Sequence, residues 1–514
     1  MKKLSVLLLV FCMMLSAAVG VVHAEKIDDP LAGPAIDENT VVICTADETP
    51  SLTTAGHNAV AGDYVNHLTH NGLARLNMDL NPEPDLAESW EVEEDENGEE
   101  TIWIFTLREG LKFCDGSDLK AEDVVASLLY AKEQPDAANY TQSFDTVEAI
   151  DDLQVKITTP GPSAALLYDL AHHCCFINPK KLIDEGADLN EQVVGAGPYK
   201  FVKWNRGESI EFTANEHYWD TERAPKIENV IWRIIKEGSS RTLAMQAGEV
   251  DFIIELDSAS VDILEGNPNI VISIEPSVSH NWLCINNEKE PFDDINVRKA
   301  INCSINKQDV IDVALDGYGE IARGQTPEGM LGFSDKGMEE YDLDKAMEYM
   351  EAWGGDPASI ELDIICSNDM KRRAAEVIQM NLADVGINAT ISSMDLATYL
   401  SKTADGDFTG FIGGYTSNEM MSFLKGVFLS DSIGAANKTR TNNPELDELI
   451  RESMRTVDQD EREKILIQAS ELLNELCPEI PLFQDNYLKA LKANLDGFEC
   501  TVGGTFWVQD WSWK

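Results

Sequence analysis

Strand and helix signals alternate along almost the whole chain, with no internal repeat and no low-complexity tract. Alternation of that kind over about 490 residues implies packed layers of mixed sheet and helix, an α/β protein of more than one lobe. Thr101 to Leu107 is rich in β-branched and aromatic residues and predicts a strand. Ser117 to Glu133 predicts a helix: Ser117 and Asp118 can cap it, Val124, Val125, Leu128 and Leu129 share a face, and Pro135 stops it. A second helical pattern starts near Asn296, runs through Val297, Ala300, Ile301, Val310, Ile311 and Val313, and ends at Gly317. A third spans Arg373 to Asp384, closed by Gly386. Pro444 to Glu475 predicts two helices that end before Cys477-Pro478.

Charge narrows the partners. Asp and Glu number 91 against 40 Lys and Arg, a formal net charge of −51. Such a surface repels phosphate backbones and anionic headgroups, so nucleic acid and a basic membrane-surface helix are excluded as partners. At 514 residues the chain buries a core large enough to fold without disulfide or metal staples. Lys2 and Lys3, the apolar Leu4 to Leu15 and the small residues of Val22-His23-Ala24 form a secretory signal over residues 1–24, with cleavage after Ala24. Cys12 follows the bulky Phe11, which disfavours lipidation. No later segment approaches the roughly 20 apolar residues of a membrane span. An exported, soluble protein is expected.

Ten cysteines become nine once Cys12 is removed, so at least one thiol is left over. No CxxC pair exists, and most of the thiols read as small buried hydrophobes. His172-His173-Cys174-Cys175 carries metal-ligating residue types. Neighbours on an extended segment point to opposite faces, so these four are expected to be structural, and no metal site is assigned. No Gly-x-Ser-x-Gly elbow and no P-loop are present, and acidic runs such as Glu91 to Glu100 read as solvated turns. The chain is therefore expected not to be an enzyme and to use no cofactor.

Several short blocks follow one another along the chain. They are Asn71-Gly72-Leu73, Pro84-Asp85-Leu86-Ala87-Glu88-Ser89-Trp90, Phe105-Thr106-Leu107-Arg108-Glu109-Gly110, Asp115-Gly116 and Ala121-Glu122-Asp123-Val124. Gly195-Ala196-Gly197-Pro198-Tyr199, Gly248-Glu249-Val250-Asp251, Pro291-Phe292-Asp293-Asp294, Asn443-Pro444 and Ile480-Pro481-Leu482 follow. Together they resemble family 5 of the extracellular solute-binding proteins, the peptide and nickel receptors of ABC importers. The resemblance implies a two-lobed periplasmic-binding-protein-like fold (type II, cluster C) with an extra inserted domain. Lobe I would take 25–56, 193–280 and 484–514, the inserted domain 57–192, and lobe II 281–483. It implies a monomeric receptor that captures a peptide or peptide-like solute by hinge closure. The receptor presents that solute, in the periplasm or at the outer face of the envelope, to a membrane permease and its ATPase subunits. A metal chelate or sugar is the alternative ligand within this class, and a secreted hydrolase is the reading from another class.

The resemblance also nominates a site. Peptide-binding relatives use an Asp in a lobe-II loop to accept the ligand's ammonium group. The matching loop here is Gly413-Gly414-Tyr415-Thr416-Ser417-Asn418-Glu419. Tyr415 replaces the usual Trp, and Asn418 stands where the Asp is expected. Asn cannot neutralise an ammonium. Either Glu419 takes over that role or the ligand lacks a free amine. Ile412 stands where some oligopeptide binders place an Arg. Asn58 and Val60 match the entry loop of lobe I, Tyr140 the groove-facing aromatic of the inserted domain, and His280 and Trp282 a cleft-facing crossing strand.

Overall fold

The computed structural model describes residues 39–514, and the secretory signal expected over residues 1–24 lies outside them. Its centre is an eleven-stranded sheet. The strands run in the order Asn388–Ser393, Glu361–Cys366, Gly410–Tyr415, Ile270–Ile285, Glu479–Lys492, Phe252–Ile253, Thr40–Thr45, Asn229–Ile234, Ser209–Ala214 and Tyr199–Asn205. Gly319–Ile321 pairs with Glu479–Lys492 as a branch.

Two long antiparallel strands, Ile270–Ile285 and Glu479–Lys492, join the halves of this sheet. Their ladder runs from Ile270 opposite Lys492 to Pro276 opposite Asn486, breaks, and resumes with His280 opposite Gln484. Extra residues on one strand bend it and sharpen the local twist. The break therefore divides the sheet into two wings. In one, Thr40–Thr45 lies parallel to Asn229–Ile234 and Phe252–Ile253. In the other, Glu361–Cys366 lies parallel to Asn388–Ser393 and Gly410–Tyr415. Parallel strands covered on both faces carry apolar runs, and Val41, Ile43, Cys44, Ile364, Ile365 and Cys366 are all buried.

A separate four-stranded antiparallel sheet pairs Ala87–Glu94, Glu100–Leu107, Gln154–Thr158 and Thr146–Ala149. The expected strand alternates as a half-covered one must: Thr101, Trp103, Phe105 and Leu107 are buried. They pack with Val124 and Leu128 of helix Ala121–Lys132 in a core of their own.

Several expected helix boundaries move, each for a local reason. The first helix starts at Ala121, because Ser117 and Asp118 belong to the preceding turn and Asp118 bridges to Lys112. Its start is held by Asp123, whose carboxylate accepts the Lys120 N–H at 2.9 Å and the Lys180 N–H at 2.8 Å. The run from Asn296 is two helices, Ile295–Ser304 and Lys307–Ala314, because Asn306 caps the second by accepting the Gln308 N–H. The third starts at Asp369, capped by Asn368. Pro444–Arg455 and Gln459–Leu476 form the expected pair. His173–Cys175 is a 3-10 turn with His172 as its cap, and not an extended segment. All nine described cysteines are unpaired and seven are buried, which fits their expected role as small hydrophobes. Among the described residues no helix is long and apolar enough to cross a membrane.

Candidate functional site

In open α/β sheets ligands bind outside the carboxyl ends of the parallel strands. The register here brings two such sets of ends to one place. Phe252–Ile253 runs antiparallel to Glu479–Lys492, so its carboxyl end advances toward Leu488 and the break in the ladder. Gly410–Tyr415 runs antiparallel to Ile270–Ile285, with Tyr415 opposite His280, so it advances toward the same break from the other side. Both sets of carboxyl ends thus advance toward the irregular stretch of the crossing strands, which is taken as the floor of the candidate cleft.

Strand parity decides what that floor offers. Side chains alternate between faces, so His280 and Trp282 go one way, and Ser279 and Asn281 the other. His280 is fully buried and Trp282 is 5% exposed, and both pack on Phe423, with ring centroids at 5.9 and 6.4 Å. Both side chains, expected to face the cleft, are buried against Phe423. His280 lies 3.9 Å from the equally buried Glu479. Burial pushes the imidazole down to about 3, assisted by the Lys307 charge, and pushes the Glu479 carboxyl well up, so both are held neutral.

On the other parity stands Asp485. Its Oδ2 accepts from the Ser279 hydroxyl at 2.9 Å and from Asn281 Nδ2 at 3.2 Å. The carboxylate is half-buried, and burial raises its pKa despite those two donors. Gly414 is exposed opposite Asn281, and a Cβ there would lie 2.5 Å from Asn281 Oδ1, so only glycine leaves this amide in place. Further along, the ammonium of the buried Lys489 sits 5.1 Å over the Tyr487 ring and 5.4 Å over Phe506. The Glu255 carboxylate accepts the Ala46 N–H at 3.1 Å, at the end of the facing parallel strands.

The lobe-II loop departs from expectation at its charged residue. Glu419 is only 8% exposed, and its oxygens accept the Met421 N–H at 2.5 Å and the Ser422 N–H at 2.6 Å. It caps helix Met420–Val427, so its charge is committed to that helix start. Of the two alternatives left open above, this arrangement speaks against Glu419 taking over the role of the missing Asp. Asn418 is exposed, with Oδ1 against Gly503. Tyr415 is half-buried and leans on Phe423 at 6.0 Å.

The remaining wall comes from earlier in the chain. Tyr140 donates its hydroxyl to Asn58 Oδ1 at 3.2 Å, and its ring stacks on His172 at 3.6 Å. Val60 is 70% exposed but sits in the first turn of helix Val60–Thr69, so it cannot pair with an extended ligand as a strand residue would. Asp169 lies near Glu419 and Lys425 of the opposite side. Burial, with the Glu419 charge, pushes its carboxyl up to about 8 against the Ser143 hydroxyl and Lys425, which lower it. Sequence reasoning missed Ser279, Asn281 and Asp485. The legible signal was the polar run Gln484-Asp485-Asn486 after the apolar Ile480 to Phe483, together with the parity of the crossing strand.

A family model described as the bacterial extracellular solute-binding proteins, family 5, matches residues 81–434. The chain belongs to this family. The glutathione-binding protein GsiB of Salmonella paratyphi A is 27% identical over 482 residues, 91% of this chain and 93% of its own. The probable D,D-dipeptide-binding periplasmic protein of Escherichia coli K12 is 29% identical over 429 residues, 81% of this chain and 82% of its own. The solved structure of HbpA2 from Haemophilus parasuis superposes with a TM-score of 0.84 at 25% identity, covering 93% of this chain and 100% of that one. The fold is thus the two-lobed family-5 architecture, and the protein is a substrate-binding receptor of an ABC importer. Its relatives are binding proteins and not enzymes.

Proposed function

We propose that this family-5 receptor captures a peptide or peptide-like solute with a free amine and does no chemistry on it. On this reading the lobes follow the division expected from the sequence (lobe I 25–56, 193–280 and 484–514; inserted domain 57–192; lobe II 281–483), taken over the described residues from 39 onward. Closure is a hinge motion about the irregular stretch of the crossing strands. The receptor is exported by its N-terminal signal, works as a monomer, and delivers its solute to a membrane permease driven by ATPase subunits.

The observation that carries this reading is the Asp485 carboxylate. It is half-buried and fixed through one oxygen by Ser279 and Asn281, and among the described residues no hydrogen bond reaches its Oδ1. A carboxylate placed this way is ready to pair with a desolvated ammonium. Two relatives, a glutathione-binding protein and a probable D,D-dipeptide-binding protein, support a peptide-like ligand. Gly414, Tyr415 and Asn418 line the lobe-II side, and Asn58 and Tyr140 the opposite wall.

A melting-shift panel tests this. A ligand at one hundred times its dissociation constant stabilises by about 2.7 kcal/mol. Di- to pentapeptides are expected to raise the melting temperature, and their N-acetylated forms to do so far less. A shift from sugars or metal chelates alone would replace the peptide reading with the alternative ligand class. Turnover of a shifting ligand would point to the hydrolase reading.

A further inference from the structure

Beside the Tyr140–Asn58 wall, the 3-10 turn His173–Cys175 gathers donors that an extended segment would have spread apart. One donor atom from each of His172, His173 and Cys174 lies within 4.8 Å of the other two. His173 Nε2 is 3.8 Å from Cys174 Sγ, and the two are 3.2 and 3.5 Å from the His57 carbonyl oxygen. A point among atoms so separated lies about 2 Å from each, matching roughly 2.0–2.1 Å for zinc–nitrogen and close to 2.3 Å for zinc–sulfur bonds.

The second ring nitrogen of His173 is already oriented. Nδ1 lies 2.9 Å from Asp63 Oδ1, which also takes His67 Nε2 at 3.3 Å. With Nδ1–H donated to that carboxylate, the Nε2 lone pair points at the His57 carbonyl, an acceptor facing an acceptor. A cation held between them would take up both lone pairs. A carboxylate behind a histidine is the arrangement that fixes metal-ligating imidazoles. His173 and Cys174 are each 1% exposed, while His172 is half-buried beneath Tyr140.

We propose that His172, His173 and Cys174, with the His57 carbonyl, form a binding site for a zinc-class cation at the junction of the entry loop and the inserted domain. Nitrogen and thiolate donors select a borderline transition metal over calcium or magnesium. About one ångström of closure by the His172 ring would bring its nitrogen to a tetrahedral edge of roughly 3.3–3.7 Å.

The test uses the purified, reduced, chelator-stripped protein and Co²⁺ alone as probe. One equivalent is expected to bind with a thiolate-to-cobalt charge-transfer band, and one equivalent of Zn²⁺ to displace it. Cys174→Ser is expected to abolish the band, and His172→Gln, at a half-buried position, to weaken binding while the protein stays folded by circular dichroism. Asp63→Asn is expected to lower affinity 10- to 100-fold. Cys114→Ser, a half-exposed thiol elsewhere, is expected to keep the band. Three results overturn the proposal. They are no band at millimolar Co²⁺, a band that survives Cys174→Ser, and weak uptake of several equivalents without a band, which is counter-ion binding by the acidic surface.

Discussion

Asp485→Asn separates an amine-binding cleft from every other use of these residues. The substitution keeps the shape of the side chain, and its remaining oxygen can still accept from the Ser279 hydroxyl that Asp485 holds at 2.9 Å. What it removes is the charge. A hydrogen bond to a charged group contributes about 1.5–3 kcal/mol net, so loss of affinity for an amine-bearing peptide is expected at roughly 10- to 150-fold. The Coulomb energy alone at 4 Å and an effective dielectric of 20 is about 4 kcal/mol. Desolvating the ammonium takes back part of it, which places the estimate in the lower range. Isothermal titration of one peptide and its N-acetylated form against both proteins isolates the term. The wild-type protein should prefer the free amine, and the variant should bind the two forms alike. Equal loss for both forms, or no loss for either, would refute the assignment of Asp485 as the amine partner.

Three further perturbations follow from the same geometry. Glu419→Ala deletes a helix cap and should lower stability by about 1 kcal/mol in urea unfolding while leaving peptide affinity unchanged; a selective loss of amine-bearing ligands would return the role to Glu419. Gly414→Ala drives a Cβ to within 2.5 Å of Asn281 Oδ1, so Asn281 must leave Asp485 and affinity should fall about tenfold; unchanged affinity would mean that this amide does not support the site. Glu479 is protonated when folded and ionised when unfolded, because burial raises its carboxyl well above the usual range. Its contribution is thus fullest below the unfolded pKa of about 4.3 and declines by up to about 1.4 kcal/mol per pH unit above it, until the folded pKa is reached. Glu479→Gln should flatten the fall in urea stability between pH 5 and 7, and parallel curves for the two proteins would show that the group ionises in place.

Where sequence pattern and long-range packing agreed, the fold was legible. Thr101 to Leu107 alternates because one face is covered, and the helix pair after Pro444 shows its buried stripe of Leu446, Ile450, Leu466 and Leu473 directly. The break at Asn306 was hidden because apolar spacing continues through it, and only the cap on Gln308 reveals that the backbone stops and restarts. The site was harder to read because it depends on parity. A family resemblance brought attention to His280 and Trp282, but a shift of one residue along a strand changes the face, and it is Ser279 and Asn281 whose side chains meet Asp485. Glu419 misled for a similar reason. Its charge was visible, but that it stands immediately before a helix start was not. His172 to Cys175 was judged as extended chain, and the 3-10 turn reverses the geometric premise of that judgement.

A cleft that holds one peptide-like solute by its amine can be read out by mass. Native mass spectrometry of the ligand-free protein, incubated with an equimolar mixture of di- to pentapeptides and their N-acetylated counterparts, tests it most directly. One peptide per chain is expected, drawn from the free-amine set, with the adduct lost in Asp485→Asn. A bare protein mass across the mixture, or adducts drawn equally from both sets, would contradict it.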